Sequence, residues 1–243
     1  MLKYKTLLIS DIKNAARNPM FMLIGIGPLL LLLLIRYVLP VVADWLIVYT
    51  GFDLLSYNDF ITILIMLVIP QLIGTATGLL MLDERDERII DYYTVSPLGR
   101  HGYLIYRLLL PVTITILMSA LFLLANGISK HQIENIAVLI LLALQAPLYT
   151  LFLVAFAANK VEGLALSKLA SLMLLGAIFP YFIPDPWQTL GIILPTYWPS
   201  RLYLNGALLG ENLGITFFLY MIGLIFHMLL LTSLFLRYYR QQS

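Results

Sequence analysis

The stretch "LDERDERIIDYYTVSPLGRHGYL", residues 82–104, lies between two long apolar runs of the chain. Seven of the 28 charged residues (15 basic and 13 acidic) fall at positions 83–91. A charged side chain at the centre of a transmembrane helix costs about 2.5–3.5 kcal/mol or more. So dense a cluster of charge therefore marks a point at which the chain leaves the membrane, between two helices that cross it.

Six apolar runs of the chain are long enough to cross a membrane. A helix of about 20 apolar residues spans the hydrocarbon core, and runs near that length occur at about 20–43, 60–82, 103–126, 136–158, 164–183 and 213–236. Charged residues make up 12% of the 243 residues, about half the share of a soluble domain. The runs do not alternate as the strands of a barrel do. The predicted fold is therefore an all-α polytopic membrane protein, a single domain with six transmembrane helices.

The distribution of Lys and Arg predicts which helix ends face the cytosol, because cytoplasmic loops carry an excess of both. If the N-terminus lies in the cytosol, twelve of the 15 Lys and Arg residues fall on the cytosolic side and three on the outer side. The inside set is Lys3, Lys5, Lys13, Arg17, Arg85, Arg88, Arg100, Arg107, Lys160, Lys168, Arg237 and Arg240, and the outside set is Arg36, Lys130 and Arg201. Six spans return the C-terminus to the cytosol. Residues 82–104 are therefore predicted to lie in the cytosol, between the second and third spans.

Two segments outside the spans are also predicted to touch the membrane. Apolar residues within 1–18 recur at helical spacing, with the basic residues off that stripe, which favours an amphipathic interfacial helix over a solvated extension. Residues 184–212, on the outer side, combine four prolines with Trp and Tyr side chains that favour the interface. Short re-entrant or surface helices fit this pattern, and so does a Pro-rich loop at the headgroups.

The charged stretch itself is predicted to form two helices separated by a break. If the second span continues as a helix into the cytosol, Asp83, Glu87 and Asp91 are four residues apart and share one face. The pair Ser96 and Pro97 predicts that this helix ends near Thr94 and that a second one begins at the proline. Residues 83–102 would then form a rigid segment tied to two spans. It would either transmit force from a cytosolic partner or serve only as a charged loop that fixes topology.

This stretch resembles the cytoplasmic segment of ABC-2 type transporter permeases. That family has an acidic and basic run, a short amphipathic stretch, a Thr/Ser-Pro pair, a small residue with Arg, and then the start of an apolar helix. The matching elements here are residues 84–88, residues 89–94, Ser96 with Pro97, Gly99 with Arg100, and the run from Tyr103 onward. Where the family often has Gly-Thr-Leu-Glu, this chain has Ile89, Ile90 and Asp91. The likeness extends along the whole chain and is closest to the small drug-export permeases of the fluoroquinolone-export type.

The resemblance implies an assembly of permeases with ATP-binding subunits in the cell membrane of a bacterium or archaeon. Two permeases, either copies of one chain or a pair with a sister permease, would dock two ATPases on the cytosolic side. The ATPase-coupling positions that match the family are Glu84, Arg85, Glu87, Arg88, Pro97, Leu98 and Arg100. The loop around Lys160 and Glu162 would make a lesser contact. Export of a substrate by a membrane subunit is the function that this resemblance implies.

Motifs for chemistry within this chain are missing from the sequence. There is no G-x-x-x-x-G-K-[ST] motif, so ATP and Mg²⁺ are expected in the partner subunit and no cofactor is expected here. The chain has no cysteine, and its three histidines, His101, His131 and His227, are scattered, so no metal site is expected. No nucleic-acid motif occurs. The chain is therefore predicted to be a transport subunit and not an enzyme.

Few polar residues lie within the predicted spans. Gln71, Gln145 and His227 are candidates for a substrate path, although such residues also serve to join helices by hydrogen bonds. A path with so few charges favours an amphipathic or lipophilic substrate, such as a drug, an antibiotic or a lipid-like molecule.

Two other functions fit parts of this pattern. One is a non-transporting membrane protein, an immunity protein or a regulatory anchor, whose charged loop binds a partner. The other is a proton-coupled carrier, which would need carboxylates near the middle of the membrane. The sequence predicts none there.

Overall fold

The structure is a computed structural model that describes residues 19–90, 99–127, 134–209 and 213–240. Those residues form helices and connecting turns, with no strand among them. The α-helices are α1 Pro19–Leu33, α2 Leu39–Thr50, α3 Asn58–Asp86, α4 Gly99–Ala125, α5 Glu134–Phe156, α6 Lys160–Ser171, α7 Ile178–Phe182, α8 Tyr197–Leu209 and α9 Leu213–Arg240. The interfacial helix predicted at 1–18 lies outside the described residues.

The prediction of six transmembrane helices is confirmed. In the described part of the chain, six helical segments are long and apolar enough to cross a membrane: Ile26–Thr50, Leu54–Asp86, His101–Ala125, Asn135–Phe156, Lys160–Phe182 and Gly214–Arg240. We number these spans one to six in chain order. Each overlaps one of the six predicted runs.

Helices α3 and α5 form the centre of the bundle. In spans two and four, which contain these helices, 72% and 67% of the most apolar stretch is buried. In the first and last spans only 17% of the corresponding stretch is buried. α5 also packs against α4, α8 and α9, and α3 packs against α1, α4 and α6. The outer spans therefore keep wide apolar faces for lipid or for other chains.

Gly74 and Gly78 allow α3 and α5 to approach closely. A Cβ at Gly74 would collide with the Ala146 carbonyl oxygen, and one at Gly78 would lie 3.0 Å from the Leu153 side chain. The Thr150 hydroxyl donates a hydrogen bond across the contact to the Gly74 carbonyl (3.0 Å). Two glycines four residues apart are the small-residue pattern that brings membrane helices together. This contact was not predicted, although the pattern stands in the sequence as "GTATG".

The first span is longer than predicted. α1 continues through a π-helical turn, Leu34–Val38, into α2, which ends at Thr50 rather than near residue 43. The prediction ended the span before Asp44, but Asp44 is exposed on α2, so its charge does not interrupt the helix. Gly51, at φ +72°, ends α2 instead, with its N–H bonded to the Ile47 carbonyl.

The fifth span is not the single helix predicted at 164–183. It begins at Lys160 as α6, passes through a 3-10 segment, Leu172–Ala177, and ends as α7. Gly176 in the 3-10 segment lies so close to Thr196 and Tyr197 that a Cβ there would collide with both. The tighter winding thus coincides with close packing against the segment that follows the span.

Short helices connect spans five and six, as predicted. A 3-10 helix, Trp187–Ile193, is followed by α8. α8 packs against α5 and α9 and buries Leu202 and Tyr203. The Trp198 indole donates to the Ile192 carbonyl (3.2 Å), which ties α8 to the preceding 3-10 helix. This segment is therefore part of the packed bundle and not a loose loop.

Candidate coupling site at the charged end of the bundle

One end of the bundle collects the end of α3, the start of α4, the end of α5, the start of α6 and the end of α9; we call it the charged end. The charged end is defined by residues 83–88, Arg107, Lys160 and Arg237. It contains the described part of the predicted coupling segment.

Helix α3 ends earlier than predicted. The charged helix was expected to continue to Thr94, but α3 stops at Asp86 and Glu87 follows as its cap. Arg88 then takes a left-handed backbone conformation, with φ +58°, which costs a non-glycine residue about 1 kcal/mol or more. The break therefore lies inside the charged run. Asp83 and Glu87 therefore do not share one face of a continuous helix, and the prediction that they do is wrong.

Glu84 is buried at the end of α3 in an ion pair with Arg107 of α4. Arg107 Nη2 and Nε both donate to the Glu84 carboxylate, the Nε bond at 3.1 Å, and the Tyr103 hydroxyl donates to Oε2 at 2.5 Å. Glu84 is 8% exposed and Arg107 2%. The guanidinium also lies 5.6 Å from the centre of the Tyr106 ring. Charges so deeply buried are stable only when paired and hydrogen-bonded, as these are.

Two arginines from different helices cap the C-terminal end of α5. Arg85 donates to the carbonyl of Val154 (3.4 Å) and to that of Ala157. Arg237 of α9 donates through Nε to the Ala155 carbonyl (3.3 Å). The last carbonyls of a helix lack partners within it and carry partial negative charge, so cations bind there favourably. Arg85 therefore connects α3 to α5 within the same chain.

The start of α6 is attached to the same turn of α3. Lys160 Nζ pairs with the Asp83 carboxylate (2.9 Å), and the Lys160 backbone N–H donates to Asp86 Oδ2 (2.9 Å). Asn159 caps α6 by accepting from the Glu162 N–H (3.0 Å). The Glu162 side chain reaches back to the Ala158 N–H (2.7 Å), so Lys160 and Glu162 both make contacts within the chain.

The predicted coupling residues thus divide into distinct groups. Glu84 and Arg85 hold α3 against α4 and α5, whereas Glu87 and Arg88 are exposed at the break. Pro97 and Leu98 lie outside the described residues, and Arg100 belongs to the first turn of α4. The four residues 83–86 together join α3 to three other helices. The two exposed charges follow directly on that junction.

The three candidates for a substrate path are buried on three different helices. Gln71 donates to the Ser171 hydroxyl (2.6 Å), Gln145 donates to the Pro195 carbonyl (3.1 Å), and His227 Nδ1 lies 2.7 Å from the Gly223 carbonyl. Each therefore makes one hydrogen bond within the bundle. The second polar atom of each side chain, Oε1 of both glutamines and Nε2 of the histidine, has no partner among the described residues.

Sequence reasoning missed Arg107 and Tyr103 as partners of Glu84. Arg107 was counted only as a cytosolic positive charge, and Tyr103 only as the start of the third span. The signal was present, because an arginine four residues inside an apolar run needs an acidic partner. Within the described ranges, no three His, Asp or Glu side chains come together as a metal site would require.

Comparison with known proteins identifies the family. Residues 11–235 match the family described as fluoroquinolones export permease protein Rv2686c-like. Two curated relatives come from Mycobacterium tuberculosis: the fluoroquinolones export permease protein Rv2686c of strain ATCC 25618 / H37Rv and the fluoroquinolones export permease protein MT2760 of strain CDC 1551 / Oshkosh. Each is 24% identical over 198 residues, which cover 80% of this chain and 79% of the relative.

No solved structure matches this chain. The family match extends over most of the chain, from residue 11 to residue 235, and so confirms the resemblance to permeases of the fluoroquinolone-export type. With its six apolar spans, the chain belongs to the Rv2686c-like family of fluoroquinolones export permease proteins and is a multi-pass protein of the cell membrane.

Proposed function

We propose that the chain is the membrane-spanning subunit of an ATP-driven ABC exporter. A separate ATP-binding subunit supplies the energy and holds ATP and Mg²⁺, since this chain has no P-loop sequence. The segment between α3 and α4 is the coupling segment, and the charged end faces the cytosol. The distribution of Lys and Arg supports this orientation.

One observation carries the proposal: two exposed, opposite charges directly follow the junction of four helices. Glu84, Arg85 and the two aspartates beside them tie α3 to α4, α5 and α6. Glu87 and Arg88 come next and are exposed. A partner that binds these two charges would pull on several spans at once, because packed helices move as units and not residue by residue.

The proposed substrate is an amphipathic drug-like molecule, with fluoroquinolones as the first compounds to test. The names of the Mycobacterium tuberculosis relatives support this choice, and so does the scarcity of charge within the spans. Gln71, Gln145 and His227 would border the path, where their unpartnered polar atoms offer hydrogen bonds to a substrate that has few charges.

A second permease, either another copy or a sister chain, completes the proposed assembly. The first and last spans leave most of their apolar surface uncovered within one chain. A second permease would cover part of this surface, and lipid would cover the remainder.

Copurification and ATPase turnover test the coupling role. The permease is purified in mild detergent with its associated ATP-binding subunit, and turnover is compared for wild type, Glu87→Lys and Arg88→Glu. We expect each reversal to lower turnover or to release the ATPase, because like charges across a contact repel and rim charges govern association. Asp185→Lys is the matched control, since Asp185 is exposed in the turn after α7, outside the charged end and outside the six spans.

Two outcomes would contradict the proposal. Unchanged turnover in an intact complex, for both reversals, would remove Glu87 and Arg88 from the coupling contact. The absence of any ATP-binding subunit from the purified complex would favour the non-transporting membrane protein instead.

A further inference from the structure

Helices α5 and α9 run side by side with a constant offset along the chain. A Cβ added to Gly223 of α9 would lie 3.2 Å from the side chain of Leu141 in α5. Several turns further on, Arg237 Nε of α9 donates to the carbonyl of Ala155 (3.3 Å). In both contacts the residue of α9 comes 82 positions after its partner in α5. The two helices are therefore parallel, and residues separated by this offset lie at the same level.

Gln145 of α5 and His227 of α9 are separated by the same offset. Each lies one helical turn beyond the contact of Leu141 with Gly223, on the same face of its helix. Gly223 and His227 are buried, whereas the residues between them are half-buried or exposed, so this face of α9 points into the bundle. Both polar side chains are fully buried. They therefore lie opposite each other between α5 and α9.

The start of α8 closes the same place. Gln145 Nε2 donates to the Pro195 carbonyl (3.1 Å), just before α8 begins. Trp198, in the first turn of α8, packs on Gly223, because a Cβ there would lie 3.1 Å from the Trp198 side chain. The Trp198 ring also lies 5.9 Å from that of Phe226. Three helices thus meet around the two polar side chains.

The hydrogen bonds that these side chains already make leave an acceptor on each. The Pro195 carbonyl can only accept, so the NH2 group of Gln145 faces it and Oε1 remains. The Gly223 carbonyl, 2.7 Å from His227 Nδ1, likewise requires the hydrogen on Nδ1, which leaves a lone pair on Nε2 of the neutral ring. Neither Oε1 nor Nε2 has a partner among the described residues. Two acceptors cannot bond to each other, so both need hydrogens from a third group.

The surroundings favour an uncharged donor group over a cation. Of the helices that pack against α5, α4, α8 and α9 contain no Asp or Glu. The acidic residues of α3, α5 and α6 lie in the first or last turn of each helix. A cation between the two acceptors would be buried without a counter-charge, which is costly, and a carboxylate would add a third acceptor. An uncharged group with two hydrogens satisfies both atoms.

We propose that Gln145 Oε1 and His227 Nε2 together bind an uncharged donor group with two hydrogens, a primary amide or amine, on the substrate of the permease. Both residues lie along the substrate path of the proposed function, on which this assignment rests. The pair selects amphipathic molecules that carry such a group over their N-alkylated or acidic counterparts. Because α9 packs mainly on α5 and α8, movement of this one helix opens the pair to a substrate.

Binding of two matched neutral probes to the purified permease tests the proposal. Naphthalene-2-carboxamide has an NH2 group, and its N,N-dimethyl derivative has no N–H. Binding of each is measured in detergent, without an ATP-binding subunit, from the rise in unfolding temperature with probe concentration. We expect wild type to bind the carboxamide about tenfold or more tightly than the derivative, because the derivative loses two hydrogen bonds that are each worth roughly a factor of five.

Substitutions assign this difference to the two side chains. The double variant Gln145→Met with His227→Phe keeps apolar volume but removes both acceptors, so its affinities for the two probes should be about equal. Comparing the two probes within one variant cancels the effect of the added methyl groups. Thr115→Val is the matched control, because Thr115 of α4 is also fully buried and its hydroxyl also has no partner among the described residues. It should keep the wild-type ratio. Unfolding without probe checks that each variant is folded.

Four results would overturn the proposal. They are equal binding of both probes by wild type, a wild-type ratio in the folded double variant, binding of naphthalene-2-carboxylate as tight as that of the carboxamide, and no binding of either probe. The last result would leave a buried water as the donor. Export of the carboxamide by the permease reconstituted with its ATP-binding subunit is measured separately. Selective binding without export would contradict the proposed function and not the binding site.

Discussion

Glu84 and Arg107 form a buried ion pair that fixes the end of α3 against α4. Their side chains are 10% and 3% exposed, and Tyr103 adds a hydrogen bond to the same carboxylate. The pair lies next to the proposed contact with an ATPase. Because α3 and α4 flank the coupling segment, the pair holds together the two helices to which that segment is attached. It also places a charged residue at the end of an apolar span at an acceptable cost, because each charge is matched.

Neutralising one member of this pair should destabilise the protein strongly. Glu84→Gln leaves the Arg107 guanidinium buried without its counter-charge, and breaking a buried pair in this way costs about 3–5 kcal/mol. The free energy of unfolding is measured by SDS titration of the purified protein. Glu84→Gln combined with Arg107→Met should recover much of the loss, since no uncompensated charge remains. If the double variant is as unstable as Glu84→Gln alone, the pairing does not account for the effect.

The ion pair between Asp83 and Lys160 should contribute far less. Its side chains are 28% and 33% exposed, and pairs accessible to solvent are typically worth about 0–1 kcal/mol and are screened by salt. We expect Asp83→Asn to lower the free energy of unfolding by less than about 1 kcal/mol, with a smaller effect at high salt. A loss as large as that of Glu84→Gln would mean that this pair is a principal link between α3 and α6.

Adding a methyl group to either glycine at the contact of α3 and α5 should destabilise the bundle, and Gly74 should be the more sensitive. The Cβ of Gly74→Ala would collide with the Ala146 carbonyl, which belongs to the backbone of α5. The nearest atom to a Cβ at Gly78 is a Leu153 side-chain carbon at 3.0 Å, which can shift more easily. Overpacking of this kind costs about 1–3 kcal/mol. Thermal unfolding in detergent checks the order, and a more harmful Gly78→Ala would contradict it.

His227→Phe should separate a role in transport from a role in packing. His227 is fully buried, and its Nε2 atom has no partner among the described residues. Replacing the ring by phenylalanine removes that buried polar atom but also the hydrogen bond between Nδ1 and the Gly223 carbonyl. The two effects oppose each other, so we expect stability to change by no more than about 1 kcal/mol. If Nε2 contacts substrate, as proposed, fluoroquinolone export by reconstituted vesicles should nevertheless fall.

Tyr149→Phe is the matched control for that experiment. Its hydroxyl is also buried without a partner among the described residues, but Tyr149 packs at the close contact beside Gly74 and is not placed in the path. We expect its export activity to match wild type. Unchanged export by His227→Phe as well would leave His227 with a packing role only.

The sequence predicted the six spans because they depend on a local property. A run of about 20 apolar residues is committed to the membrane whatever its neighbours are, and for the same reason the density of charge at residues 83–88 predicts that they lie outside it. Helix boundaries were predicted less well. The first span continues past Asp44 to Gly51 because an exposed charge does not end a helix, whereas a glycine in the left-handed conformation does.

The roles of individual polar residues could not be predicted in this way. Glu84 and Glu87 look alike in the sequence, yet one is buried against Arg107 and the other is exposed at a helix break. Arg36 was predicted only to lie on the outer side, and the structure adds its partner, the Ala125 carbonyl at the end of α4 (2.7 Å). These outcomes depend on which helix end lies beside each side chain, and helix order along the chain does not specify that.

The sequence by itself thus determined that this protein is a six-span helical membrane protein, where charge is concentrated along the chain, and which permease family it resembles. The hydrophobic effect sets these features residue by residue, so composition and order suffice. Only the tertiary structure decided that α3 and α5 form the core through Gly74, and that residues 83–86 join α3 to three other helices. Close packing and ion pairing act between residues distant in sequence, and they become visible only when the helices are placed together in space.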